Sequence, residues 1–141
     1  MFRVDHALGF YRIYAFPWNP VRNEEFLPLT KVEAEELCDG NLPGFKPRPD
    51  DSDEDKAANR AEGEVYLSMI KKSAGTAEMI AEDLGMVPDY VRPSLEKLGI
   101  AGMKVPQWEF TDGHVTSGLQ YPSCSFATYA THDHSPLPAQ W

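Results

Sequence analysis

Residues 77–83, Ala77-Glu-Met-Ile-Ala-Glu-Asp83, read as a short buried strand that runs into two adjacent carboxylates. A helix precedes it. Over 54–73, Ala58, Ala61, Val65, Met69 and Ser73 recur at three- and four-residue steps, Tyr66 and Ile70 widen the stripe, and Gly75 ends it. A second helix follows at about 89–98, with Pro88 near its start, Val91, Leu95 and Leu98 along one face, and Gly99 as the stop. A strand held between two helices is the parallel β/α unit, so the fold class is α/β.

Working outward, Met1-Phe-Arg-Val-Asp5 reads as the end of a strand with no signal peptide before it, as expected of a piece cut from a larger domain. Residues 10–16 (Phe-Tyr-Arg-Ile-Tyr-Ala-Phe) form a strand or a short helix, which periodicity does not decide. Thr30-Lys-Val-Glu33 has the form of a capping box, which predicts a short helix over 31–38. Residues 40–55 read as a loop that closes on Asp50-Asp-Ser-Asp-Glu-Asp55. That acidic run lacks the central Gly and terminal Glu of a calcium loop and reads as a solvated helix start. Gly102–Gln107 reads as a strand, 109–123 as a polar loop, and Ser125–Thr131 as a strand running into His132-Asp133.

The 141 residues carry a formal charge of −9, from 13 Lys and Arg against 22 Asp and Glu. Such a surface repels phosphate backbones, which argues against nucleic acid as a partner. No apolar run reaches the roughly 18–20 residues of a membrane span. Cys38 and Cys124 fit neither a disulfide framework nor a zinc signature, so a reducing, cytoplasmic setting is expected. Twelve prolines and ten glycines predict long shaped loops, where enzymes keep their sites.

Three strand ends carry carboxylates: Asp5, Glu82 and Asp133. In a parallel β/α barrel all strands end at one rim, so these three groups are expected to converge. Retaining glycoside chemistry needs such a set: an ionised nucleophile, a protonated acid about 5–5.5 Å away, and hydrogen bonds to sugar hydroxyls. Arg3 lies two residues before Asp5, on the same face of a strand, where its charge favours the ionised carboxylate.

These same residues carry a resemblance. Phe2-Arg-Val-Asp-His6, Ile80-Ala-Glu-Asp-Leu-Gly85 and Thr131-His-Asp133 resemble, in order, the second, third and fourth conserved regions of the 4-alpha-glucanotransferases. This is glycoside hydrolase family 77 of the α-amylase superfamily, also called amylomaltases or disproportionating enzymes. Gly102-Met-Lys-Val and Tyr121-Pro122 are similar to the stretch between the last two regions.

The resemblance implies a partial (β/α)8 TIM barrel covering roughly strands four to seven. Residues 1–141 would be a partial catalytic domain, with 17–53 as a Pro-rich insertion. It implies Asp5 as the nucleophile, Glu82 as the acid and base, and Asp133 as a holder of sugar hydroxyls. Arg3, His132 and His6 would be substrate-binding or orienting groups. It implies no metal and no cofactor, and maltooligosaccharides or other α-1,4-glucans as partners. Ala7-Leu8-Gly9 and His134-Ser135-Pro136 depart from the usual family pattern while leaving the carboxylates in place. An arc of four strands has open edges, so self-association is expected, and the chain alone is expected to be nearly inactive. Two other readings stay open: an α-glucan hydrolase of the same superfamily, and a non-catalytic glucan-binding or vestigial piece.

Several residues have plainer readings. His132 and His134 without further ligands do not make a metal site. His6 serves a sugar or a structural hydrogen bond, and His114 is exposed. Trp18, Trp108 and Trp141 read first as packing residues and second as sugar platforms. Cys124 reads as an inert thiol. Asp83 points to the opposite face from Glu82 and reads as structural.

Overall fold

The computed structural model describes residues 1–135 and 137–140, so Pro136 and Trp141, the last with its suggested packing or sugar-stacking role, lie outside the described residues. In chain order the elements are β1 (Phe2–Val4), β2 (Ile13–Ala15), α1 (Asn23–Phe26), α2 (Lys31–Leu37), β3 (Gly44–Lys46), α3 (Asp53–Ala74) and β4 (Met79–Ala81). Then come α4 (Val91–Lys97), β5 (Ala101–Lys104), β6 (Phe110–Thr111), β7 (His114–Val115), β8 (Ser125–Ala127) and α5 (Leu137–Gln140). The chain divides into two compact units, Met1–Tyr11 with Arg60–Trp141, and Arg12–Asn59.

The first unit is mixed α/β. Its four-stranded sheet has the order β1-β4-β5-β8, and every pair is parallel. Successive strand residues face opposite sides. On one side Phe2, Val4, Met79 and Ala81 pack with Leu67 of α3 and with Val91 and Leu95 of α4. Burying each of these larger aliphatic side chains contributes about 1.5–3 kcal/mol. The register Arg3↔Ile80 and Met103↔Phe126 places those four residues on the other side, where they line a hollow of about 260 Å³.

α3 buries a different face from the one its hydrophobic pattern predicts. Val65 and Met69 are 58% and 61% exposed. Of the predicted stripe Ile70 does pack against the core, and it is joined there by Gly63, Leu67 and Ala74. The cause is the ring of fully buried Tyr11: a Cβ on Gly63 would meet it at 2.3 Å. A glycine adds nothing to a hydrophobic count, so the pattern selects the wrong stripe. Tyr11 Oη donates to Ser94 Oγ at 2.9 Å, and Ser94 Oγ donates to Glu64 Oε1 at 3.2 Å. Lys97 Nζ donates to Glu64 Oε2 at 2.6 Å and holds that carboxyl below its ordinary range. This polar chain fastens α3, α4 and the turn after β1 to one another.

In the second unit a capping box opens α2. Thr30 Oγ1 accepts from Glu33 N, and Glu33 Oε2 accepts from Thr30 N at 2.8 Å, which starts α2 where the sequence predicts. β2 and β3 pair antiparallel, so 10–16 contains a strand, and the segment predicted as loop over 40–55 supplies its partner. Asn59, polar yet buried, donates through Nδ2 to Asp50 Oδ1 at 2.9 Å and accepts from Arg48 Nη1 at 2.9 Å. In the first unit, the polar stretch 109–123 contains a second small hairpin, β6 with β7.

Gly63→Ala tests the helix face. Alanine favours a helix over glycine by about 1 kcal/mol, but overpacking against a closed core costs about 1–3 kcal/mol. The variant is therefore expected to be less stable in urea denaturation, and a gain in stability would refute the Tyr11 contact.

Candidate active site

Parallel pairing places the ends of β1 and β4 side by side. Asp5 follows the last residue of β1 and Glu82 the last residue of β4. Arg3↔Ile80 are register partners, so two residues on, Asp5 and Glu82 project from the same face. The ladder continues past the strands: Glu82 N donates to Val4 O at 2.9 Å, and Ala7 N donates to Glu82 O at 3.0 Å. His6 N donates to Glu82 Oε2 at 2.8 Å, which fixes the carboxylate itself.

That last bond requires an unusual backbone. His6 has φ of +45°, in the left-handed region. A non-glycine residue there costs roughly 1–2 kcal/mol, and such cost concentrates at functional sites. The His6 ring lies against Gly9, where an added Cβ would stand 3.0 Å from Cδ2.

Arg3 joins the two outer strands' ends. Its Nη2 pairs with the Asp5 carboxylate, and its Nη1 lies 3.2 Å from His132 Nδ1. Arginine can only donate, so Nδ1 accepts and the imidazole proton sits on Nε2. His132 Nε2 is 3.2 Å from Asp133 Oδ1. Asp5, Arg3, His132 and Asp133 thus form one continuous polar run, and His6 and Glu82 are tied to the same end of the sheet. The approach to Asp133 differs from the sequence reading. β8 ends at Ala127, and the chain then bends, with Gln107 Nε2 donating to Tyr129 O at 2.6 Å and Thr128 Oγ1 donating to Ala130 O at 3.0 Å.

An open cleft of about 420 Å³ is lined by Glu82, Asp133, Thr131, His134, Gly85, Leu84 and Trp108. Trp108 is half exposed, and its ring lies 4.4 Å from the His134 ring. Thr131 Oγ1 and Thr131 N both lie on His134 Nδ1, at 2.8 and 3.1 Å. The sequence favours packing over a sugar platform for Trp108, and it marks His134 as a weak metal ligand and as a departure from the family pattern. The loop that carries Trp108 has no periodicity to mark it as a cleft wall. Trp18, by contrast, does pack, stacked on Phe26 with centroids 4.3 Å apart. Among the described residues no group of three or more His, Cys, Asp or Glu side chains is gathered to hold a metal ion.

Asp83 braces the opposite face. It is buried; its Oδ1 accepts from Met103 N at 2.6 Å and its Oδ2 from Arg92 Nε at 3.2 Å. Gly102 leaves room for it, since a Cβ there would sit 2.8 Å from Oδ2. Burial pushes the Asp83 carboxyl above its ordinary value, against the opposing pull of the Met103 N–H, Arg92 and Lys104.

A family model described as 4-alpha-glucanotransferase matches residues 1–141. The chain is 28% identical over 144 residues to the 4-alpha-glucanotransferase of Chlamydia caviae and, again at 28%, to that of Chlamydia pneumoniae. Each of these matches covers 100% of this chain and 22% of the relative's length. The Thermus thermophilus 4-alpha-glucanotransferase is 37% identical over 54 residues, 38% of this chain and 11% of that protein. No solved structure gives a significant match.

Asp83 carries a pH prediction. Its folded pKa is raised, so the native state binds the proton more tightly than the unfolded chain. Its contribution is complete below the unfolded carboxyl value and is lost as pH rises through the raised folded value. Between about pH 4 and pH 7 the stability of the wild type relative to Asp83→Asn is therefore expected to fall. Parallel urea midpoints across that range would expose an error in sign.

Proposed function

The chain belongs to the 4-alpha-glucanotransferase family, and on that premise we propose that its site performs retaining transfer of α-1,4-linked glucan segments. The segment passes from a donor glucan to the 4-hydroxyl of another glucan or of glucose. The observation that carries this reading is the gathering of Asp5, Arg3, His132 and Asp133 beside Glu82 at the ends of parallel strands.

The Asp5 carboxylate attacks the anomeric carbon, the bond to the leaving O4 breaks, and Glu82 gives that oxygen its proton. A covalent glycosyl-Asp5 intermediate results. Glu82, now ionised, takes the proton from the acceptor 4-hydroxyl, which attacks the same carbon and releases Asp5. Arg3 pairs with the Asp5 carboxylate and aims it. Asp133 and His132 hold hydroxyls of the sugar at the cleavage point, and the exposed face of Trp108 offers a pyranose ring a stacking surface. His6 acts through its backbone N–H on Glu82, with its ring near the same sugar.

The four-stranded sheet is read as strands four to seven of a (β/α)8 barrel, with 17–53 inserted between the strands that carry Asp5 and Glu82. Support comes from the all-parallel order and from the separate compact unit Arg12–Asn59. The outer strands β1 and β8 then offer ladder groups through which chains self-associate. Both free cysteines, Cys38 and Cys124, suit a reducing cytoplasm. Because the chain spans 22% of the length of the chlamydial relatives, it is expected to turn over slowly by itself.

Incubation with maltotriose, with products resolved by chain length, tests this. The expected outcome is trace glucose with longer maltooligosaccharides, lost in Asp5→Asn, at a rate about 100-fold or more below that of a complete barrel. Glucose and maltose alone would convert the reading to hydrolysis. An Asp5→Asn variant as active as the wild type would remove Asp5 from the mechanism.

A further inference from the structure

The turn that carries His132 and Asp133 is closed by the residue after them. His134 N donates to Thr131 O at 3.2 Å, so Thr131–His134 is a β-turn with His132 and Asp133 at its two central positions. Asp133 N donates to Thr131 Oγ1 at 3.3 Å. The His134 ring then folds back over the turn. Thr131 N donates to its Nδ1 at 3.1 Å, and Thr131 Oγ1 lies 2.8 Å from the same atom. A backbone N–H only donates, so Nδ1 is bare and the ring proton sits on Nε2. The Thr131 hydroxyl, which accepts from Asp133 N, gives its own proton to Nδ1. One imidazole nitrogen thus ties down both donors of Thr131 and, through the hydroxyl, the backbone of Asp133.

The ring is also held from the loop after β5. The Trp108 ring lies against it with centroids 4.4 Å apart, and Gln107 beside Trp108 donates to Tyr129 O at 2.6 Å. Two adjacent residues of that loop therefore support the segment that leads into the turn. His134 stands where the chain departs from the family pattern, so the family match assigns it no task. A second proton on the ring would occupy Nδ1 and take the acceptor away from both Thr131 groups. The ionisable groups that share its cleft are Glu82, just past β4, and Asp133 in the turn itself, whose Oδ1 lies 3.2 Å from His132 Nε2.

We propose that His134 is a positioning residue: with Nδ1 bare it closes the turn and fixes Asp133 and His132 beside Glu82, and with a second proton it lets the turn open. The consequence for catalysis rests on the transfer reading above, whereas the closure itself does not.

Three full-length chains separate this role from packing. The wild type is compared with His134→Phe, which keeps a ring against Trp108 without an acceptor, and with His134→Asn, whose Oδ1 takes the place of Nδ1 and gains no proton. Nitrogen NMR of the imidazole is expected to find the His134 proton on Nε2. Amide hydrogen exchange at Thr131, relative to the intrinsic rate at each pH, is expected to be about threefold to tenfold faster in His134→Phe and to be restored in His134→Asn. On acidification the wild-type protection is expected to fall in step with the measured titration of the His134 ring, while His134→Asn keeps its protection. Maltotriose transfer is expected to follow the same order, about threefold to tenfold lower in His134→Phe and restored in His134→Asn. The ratio of wild type to His134→Asn is expected to fall on acidification, and it cancels the titration of Glu82 common to both. A proton on Nδ1, a Thr131 amide as protected in His134→Phe as in the wild type, or protection that ignores the ring's titration would overturn the proposal. So would undiminished transfer by His134→Phe. Products absent from all three chains would count against transfer, and the exchange data would then decide the closure by themselves.

Discussion

Parallel pairing of Phe2–Val4 with Met79–Ala81 is the constraint on which the site depends. Because each strand runs the same way, both end at one edge, and residues just past those ends are neighbours although far apart in sequence. The register does the rest. A shift of one residue would turn Asp5 to the opposite face from Glu82. It would also break the two bonds that carry the ladder beyond the strands, Glu82 N to Val4 O and Ala7 N to Glu82 O.

Each face of this sheet has a separate task. The face packed on α3 and α4 is closed by apolar side chains, by the Tyr11–Ser94–Glu64 chain, and by Asp83 with its donors Met103 N and Arg92. The opposite face is polar at the strand ends, where Arg3 spans from Asp5 to His132. Adjacent residues Glu82 and Asp83 divide between the two faces by strand alternation alone. A substitution at Asp83 therefore reaches Glu82 through the backbone, whereas His6 reaches it through one hydrogen bond bought with a left-handed φ.

The parts legible in the sequence were those encoded by local chemistry. The Thr30–Glu33 box started its helix, and the alternation of Arg3 with Asp5 put both on one face. α4 kept Val91 and Leu95 inward. What escaped was set by contacts distant in sequence. Gly63 is invisible to a hydrophobic count, yet it leaves the space the Tyr11 ring fills, while Val65 and Met69 of the predicted stripe stay exposed. β3 lies in a Pro- and Gly-rich stretch that resembles a loop until β2 pairs with it. The wall formed by Trp108 and His134 comes from an aperiodic loop and a turn, which carry no pattern to read.

Covalent trapping on Asp5 tests the central claim most directly. An α-maltotriosyl fluoride donor loses fluoride without needing a proton, so a Glu82→Gln chain can still be glycosylated while the acceptor step, which needs the base, stalls. Mass spectrometry of that variant is predicted to find one added maltotriosyl group, located by peptide digestion on Asp5. An intact protein mass that does not change, or a sugar attached to any other residue, would contradict the account.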